Sequence, residues 1–465
     1  MRLFYIWNGM KGETDESRAT LGSRLSAVLV AAGSAVGLGN IWRFPAMAGD
    51  NGGGAFLLLY ILCVIVLGLP LMLAEFSVGR ASRRNAVGAY RKLDRRWSFL
   101  GYNSVLVAFL ILGFYYVVSG WTLEYFVHSV TGTIGRYDTP DAYRGIFENF
   151  RIHPWRPTVY AWIFVLITHG VIALGVRRGI ERSAKFLMPL LFVVLVVLAG
   201  HSLLMPGGDE GVRFLLRPDF SKVTPRTVLA ALGQAFFSLS IGMGCMITYA
   251  SYFNKETDLR RTAVNVAVLD TVVALLAGLA IFPAAYSAGI FSSAEVPTAG
   301  PDLVFITLPA LFNSMAWGGL WAAVFFLLLV VATLTSTLSL HEVVTAYLHE
   351  EWCMSRKGAA GLTTVSMLFL SALASLSLGM LSDWRICGLT IFDSLDFLTA
   401  NILMPVGGLL TSIFVGWRFE RRLLRRELGI GGRQRSGRLA FLLFMLRWVC
   451  PAILLAVFLD NLGLL

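Results

Sequence analysis

About eleven runs of roughly 18–28 mostly apolar residues divide this chain, each long enough as a helix to cross about 30 Å of hydrocarbon. They cover 25–48, 56–78, 100–127, 159–174 and 186–204, then 230–249, 263–288, 320–348, 362–381, 389–414 and 439–458. Inside a bilayer every backbone N–H and C=O needs a partner from the protein, which restricts a spanning chain to helices or a closed barrel. Runs of this length specify helices. Charged residues make up only 14% of the chain, too few to cover a water-soluble body of 465 residues. The chain reads as an all-α integral membrane protein.

The net charge of +11 raises the question of nucleic acid, and the placement of the charges answers it. Arg80, Arg83, Arg84, Arg91, Lys92, Arg95 and Arg96 follow the second run; Arg177, Arg178, Arg182 and Lys185 follow the fourth; Lys255, Arg260 and Arg261 follow the sixth. Arg418, Arg421, Arg422, Arg425 and Arg426 follow the tenth, whereas 289–318 carries no basic residue. Basic residues in alternate connections mark the cytoplasmic side, so the N-terminus is expected inside and the C-terminus outside. Topology accounts for the charge without a nucleic-acid partner. Cys63, Cys245, Cys353, Cys387 and Cys450 are scattered and odd in number, which indicates neither a disulfide framework nor a zinc site. Segment 1–24 reads as a cytoplasmic N-terminal segment, not a cleavable signal.

Two runs are poorly made as helices. Gly33, Gly37 and Gly39 crowd the first, with Pro45 beyond them, and Gly242 and Gly244 interrupt the sixth. Each interior glycine costs a helix about 1 kcal/mol relative to alanine. The local sequences also match, VGLG at 36–39 against IGMG at 241–244. Gly33 and Gly37 alone form a GxxxG pattern, which in membranes usually means close helix packing. The matched pair instead predicts two discontinuous helices, each first in its five-span half, as in transporters built from inverted repeats. The expected units are a five-helix repeat over 25–205, a second over 226–416 and an eleventh helix with a short external C-terminus over 439–465. A helical external lid is expected over about 302–312, too short and proline-punctuated to cross.

The stretches GSAVGLGNIWRFP (33–45), NGGGAF (51–56), GIER (179–182), FFSLS (236–240), TYASY (248–252) and FITLP (305–309) closely resemble the signature of the neurotransmitter:sodium symporter family. The resemblance implies a member like the bacterial leucine and hydrophobic amino-acid transporters, in the bacterial inner membrane. It implies sodium-coupled uptake of a neutral L-amino acid by alternating access, with two Na⁺ ions and no organic cofactor. By the resemblance, one sodium site takes the Ala35 carbonyl, Asn40, Ser238 and Asp270. The other takes Gly33, Val36 and Ala332 carbonyls with the Thr335 and Ser336 hydroxyls. Many relatives carry Asn where this chain has Asp270; the carboxylate is expected to replace chloride and make transport chloride-independent.

The resemblance also places a substrate site at Ser34, Ala35, Gly37, Gly39, Ile111, Tyr115, Phe237, Ser240, Met243, Ser336 and Leu340. Tyr115 would hold the substrate carboxylate beside the half-helix ends, where free N–H groups favour anions. Met243 stands where a related leucine transporter has Phe, and a flexible thioether repacks around large guests, so a hydrophobic or aromatic side chain is expected. The external gate would pair Arg43 with Asp396, with Gln234 bracing the arginine and Phe237 as a lid. The cytoplasmic gate would use Arg18, Glu350 and Tyr252. Leu21 replaces a tryptophan common in relatives, which puts the tightness of that gate in question, and Glu75 is expected to bond freed backbone donors. No HExxH or GxSxG motif points to an enzyme. A non-transporting amino-acid sensor on the same scaffold is the alternative, and the sequence leaves monomer or dimer open.

Overall fold

The computed structural model describes residues 19–133, 140–287, 300–313, 315–430 and 436–463. The first span is split into α1 (Arg24–Ala35) and α2 (Gly39–Asp50), bent by 55° at the break. Four unbroken spans complete the first half: α3 (Gly54–Ser82), α4 (Arg95–Val130), α5 (Arg156–Ala173) and α6 (Val176–Leu203). The sixth span is split into α7 (Pro225–Ser238) and α8 (Cys245–Ala250), each too short to cross alone. Then come α9 (Leu259–Ser287), the short α10 (Leu303–Asn313), α11 (Gly318–Glu351), α12 (Arg356–Leu376), α13 (Ile391–Arg418) and α14 (Gly437–Asn461). Among the described residues nine helices are long and apolar enough to cross unbroken and the bent pair α1–α2 makes a tenth, while α7 and α8 occupy the sixth of the eleven apolar runs.

The glycines act where the sequence placed them. After Ala35 the chain turns extended at Val36 (φ −76°, ψ 109°) and regains helical winding at Gly39. In the sixth span Ser240 (φ 52°), Gly242 (φ 82°) and Gly244 (φ 76°) all adopt left-handed backbone, which costs glycine nothing and side-chain-bearing residues about 1–2 kcal/mol. Segment 239–244 is therefore not helical, and Gly244 caps the start of α8.

Freed main-chain groups find partners in the protein, as lipid requires. The Gly242 N–H donates to Glu75 Oε1 at 2.8 Å, so the buried carboxyl on α3 holds the sixth-span break as anticipated. Ser240 Oγ donates to the Ser34 carbonyl at 2.8 Å, joining one break to the other. The Gly37 N–H donates to Asn40 Oδ1 at 3.1 Å.

The two broken spans lie against a frame in which α4 packs along α11 and α6 along α9. Short helices absent from the hydropathy reading decorate the ends: Ala86–Leu93, Pro140–Ile152, Gly208–Leu216 and Arg421–Glu427. They are too short and polar to cross, so apolar run length does not reveal them.

Contact between α3 and α8 depends on Gly79. A β-carbon there would stand 2.1 Å from the Ile247 carbonyl oxygen, far inside van der Waals contact. Gly79→Val is expected to separate α3 from the inner half of the sixth span. Fluorescence-detected size exclusion should then show loss of the monodisperse folded peak, whereas an unchanged peak would show that this close approach is dispensable.

Candidate sodium and substrate site

A cavity of about 380 Å³ of space unfilled by atoms lies between the two breaks. All eleven residues anticipated for the substrate line it, from Ser34, Ala35, Gly37 and Gly39 on the first span to Ser336 and Leu340 on α11. Leu38 and Ser238 join them. Its floor is tight: a β-carbon on Gly37 would come within 2.3 Å of Ser336 Oγ. Tyr115 is mostly buried, and its hydroxyl accepts a long 3.5 Å bond from the Leu38 N–H. The Ser336 hydroxyl thus faces the cavity floor at Gly37.

Beside the cavity, Asp270 on α9 is completely buried. Its Oδ1 accepts from Asn40 Nδ2 at 2.8 Å and from Ser238 Oγ at 2.9 Å. Its Oδ2 accepts from the Tyr60 hydroxyl at 2.6 Å. Asn40 Nδ2 reaches Ser238 Oγ and the Asp270 carbonyl as well, both at 3.0 Å. Asn40, Ser238 and Asp270 therefore meet at one point, with Ala35 ending α1 at the edge of the same cavity. Every hydrogen-bond partner of the Asp270 side chain is neutral. A carboxylate so placed costs several kcal/mol unless a cation or proton joins it. Tyr60 escaped the sequence reading; asking what else in an apolar span could bond Asp270 would have pointed to a tyrosine hydroxyl.

On the opposite side of the first break, Thr335 Oγ1 donates to the Ala332 carbonyl at 2.9 Å and approaches the Val36 carbonyl at 3.4 Å. A β-carbon on Gly33 would touch the Thr335 side chain at 3.7 Å. Hard neutral oxygens of this kind suit an alkali cation.

The external gate differs from expectation. Arg43 and Asp396 form no ion pair; Asp396 is solvent-exposed and acts on the arginine only through charge at a distance. The Arg43 guanidinium rests instead over the Phe237 ring, 4.7 Å from its centroid, a cation–π contact that places Phe237 beneath it. Gln234 does not brace Arg43. Its Nε2 donates to the Gly39 carbonyl at 2.7 Å, and its buried Oε1, the atom that could accept from a guanidinium, has no hydrogen-bond partner among the described residues because Arg43 lies over Phe237 instead.

The side expected to face the cytoplasm is tied. The Leu21 N–H donates to the Tyr252 carbonyl at 2.9 Å, and Asn254 Nδ2 donates to the Leu21 carbonyl at 2.7 Å. Leu21 itself is buried, so main-chain bonds hold the segment that tryptophan packing was expected to hold. The Tyr252 hydroxyl donates to Glu342 Oε1 at 2.6 Å, and Arg356 grips the same carboxylate through two nitrogens at 3.0 and 2.6 Å. Neither Glu342 nor Arg356 stands out in the sequence. Glu350 accepts from the Asn85 N–H and its side-chain amide, at 2.9 and 3.1 Å. Arg18 lies outside the described residues. At the start of α6, Glu181 accepts from Gly22 N–H at 3.0 Å and Ser26 Oγ at 2.7 Å, a second tie on α1.

Two helices broken at matched places around a shared cavity, with a buried carboxylate at its edge, define a secondary transporter of the inverted-repeat type. The profile of the Sodium:neurotransmitter symporter family matches residues 18–143 and 156–464, and the chain belongs to that family. It is 38% identical to an "uncharacterized sodium-dependent transporter" of Bacillus subtilis (strain 168), over 95% of this chain and 97% of the relative. It is likewise 38% identical to one of Haemophilus influenzae, over 96% and 99%. Among solved structures it is similar to MhsT in complex with L-phenylalanine: 41% identity, a TM-score of 0.86, 96% of this chain and 100% of that one. The protein is thus a sodium-dependent membrane transporter.

Removing the Glu342 carboxylate leaves the part-buried Arg356 without its partner, which costs about 3–5 kcal/mol. Glu342→Ala is expected to lower the thermal unfolding midpoint in detergent, and Glu342→Ala with Arg356→Leu to recover part of the loss. Equal midpoints for wild type and Glu342→Ala would show that the pair does not secure the inner side.

Proposed function

We propose that this protein takes up a neutral, hydrophobic or aromatic L-amino acid, driven by sodium entering down its gradient and without need of chloride. The observation that carries the reading is Asp270: a buried carboxylate with neutral partners only, at the edge of a cavity formed by two unwound spans. Sodium, as co-transported cargo, would neutralise it with oxygens from Ala35, Asn40 and Ser238. A second ion would sit among Gly33, Val36, Ala332, Thr335 and Ser336. The substrate carboxylate would add an oxygen to the first ion and meet the Tyr115 hydroxyl, so each ligand favours the other. Its side chain would lie among Ile111, Phe237, Met243 and Leu340. The fixed negative charge of Asp270 does what an accompanying chloride would otherwise do. That MhsT is known with L-phenylalanine bound supports an aromatic guest.

The access cycle follows from the gates. With the inner side tied and Arg43 parted from Asp396, the cavity would load from outside. Binding would draw Arg43 to Asp396 over Phe237, and parting of the Leu21, Tyr252 and Glu350 contacts would release substrate and sodium inside. The chain would lie in a bacterial cytoplasmic membrane, its N-terminus in the cytoplasm.

A thermal-shift screen of the twenty amino acids in sodium and in choline should give stabilisation by large apolar ones in sodium alone. In proteoliposomes, uptake of the best binder should persist when gluconate replaces chloride, and a chloride requirement would contradict the role given to Asp270. Asp270→Asn is expected to raise the sodium concentration for half-maximal uptake about 10- to 100-fold. Binding without flux would favour a sensor.

A further inference from the structure

A second large cavity lies away from the substrate path, where the cytoplasmic ends of several spans meet. It is open to solvent and takes in about 1190 Å³ of space unfilled by atoms, and its wall holds Arg80, Arg83, Lys92, Lys255 and Arg426 against one carboxylate, Glu427. Among the described residues that wall holds five cations to one anion, with Lys92 also donating to the Ser82 carbonyl at 3.2 Å. Arg80 is the structural member. Its Nε donates to Glu427 Oε2 at 2.7 Å and its other nitrogens to the Thr257 and Glu427 carbonyls, which pins helix Arg421–Glu427 to α3. Glu427 is thereby engaged by Arg80, and Arg426 stands 3.8 Å from its other oxygen. Arg83, at the left-handed turn that ends α3 (φ 54°), keeps a buried Nε with no hydrogen-bond partner. A buried guanidinium nitrogen without an acceptor, beside clustered cations, fits an anion with several oxygens.

The height of the cavity identifies the anion. Helix Arg421–Glu427 follows directly on α13, whose last turn exposes Trp417, and the neighbouring part of α14 exposes Phe441, Phe444 and Trp448. Trp417 and Trp448 meet edge to face at 5.3 Å. Trp417 at the end of α13 and Phe441 near the start of α14 are exposed aromatic rings at helix ends, which mark the headgroup level of a bilayer. We infer that this cavity binds the phosphate of an anionic phospholipid of the inner leaflet, a phosphatidylglycerol-type headgroup, through Arg83, Lys255 and Arg426. Its wall is shared with the cytoplasmic gate. Arg83 also lines the cleft that contains Tyr252, Glu350 and Arg356, and Phe253 beside Tyr252 lines the basic cavity. A bound headgroup would hold the 252–257 segment that Arg80 already clamps, and so steady the closed inner gate.

The inference rests on the inside-positive orientation proposed above, but its test reads binding, so a failure of transport leaves it standing. Lys255 and Arg426 are exposed and belong to neither gate nor cavity of the transport path, which makes Lys255→Gln with Arg426→Gln the variant of choice. The full-length protein is placed in nanodiscs of phosphatidylcholine, alone or with phosphatidylglycerol, and its unfolding midpoint and lipid retention by native mass spectrometry are measured. Phosphatidylglycerol should stabilise the wild type and be retained, and the double variant should match wild type in pure phosphatidylcholine but bind the anionic lipid about 30-fold more weakly. Equal stabilisation of wild type and variant by phosphatidylglycerol would overturn the site. Stabilisation by inorganic phosphate as large as that by the lipid would overturn the assignment to a membrane headgroup.

Discussion

The protein depends on how it satisfies backbone groups inside a medium that has no water. Nine of its described spans do so by unbroken helical winding, and the first and sixth do not. At those breaks the released donors and acceptors are caught by side chains from elsewhere: Glu75 for Gly242, Gln234 for Gly39, Ser240 for Ser34. The same unwinding leaves carbonyls and short N-termini facing a common cavity. Site and structural compromise are therefore one feature, and the surrounding scaffold of α4, α6, α9 and α11 exists to hold it.

Asp270 shows how charge enters this arrangement. It is the one carboxylate brought to the cavity edge by α9, and it is held by Asn40 from the first break, Ser238 from the sixth-span edge and Tyr60 from α3. Three elements thus converge on an anion carried by a fourth. Motion of either broken helix must alter that group's surroundings, which gives a physical route by which an ion bound there can bias the shape of the cavity. The asymmetry of the gates fits the same picture: the half that carries the N-terminal segment is cross-tied through Leu21, Tyr252, Glu342 and Arg356, whereas Arg43 sits on Phe237, parted from Asp396.

Much of this was legible in the sequence because it is local. Apolar run length gave the spans, and glycine spacing gave the breaks at Gly37 and Gly242. The family signature gave the lining of the cavity, where all the named residues indeed meet. What the sequence hid is long-range pairing. Tyr60 lies 210 positions from Asp270, and nothing in its apolar run shows that its hydroxyl has a charged partner. Glu342 and Arg356 flank the end of α11 and look like ordinary interfacial charges until the fold buries the glutamate completely. Gln234 departs from expectation for a similar reason: its Nε2 meets the Gly39 carbonyl across 195 positions, while Arg43 lies over Phe237 and leaves the amide oxygen without a partner among the described residues.

The central claim is that sodium and the amino acid bind to one another's advantage across the two breaks. Isothermal titration of the purified protein with an apolar L-amino acid, repeated across sodium concentrations with choline as the balancing cation, tests it most directly. Affinity for the amino acid should rise with sodium, and the amino acid should tighten sodium binding by the same factor, as linkage requires. An affinity that is identical in sodium and in choline would contradict the account.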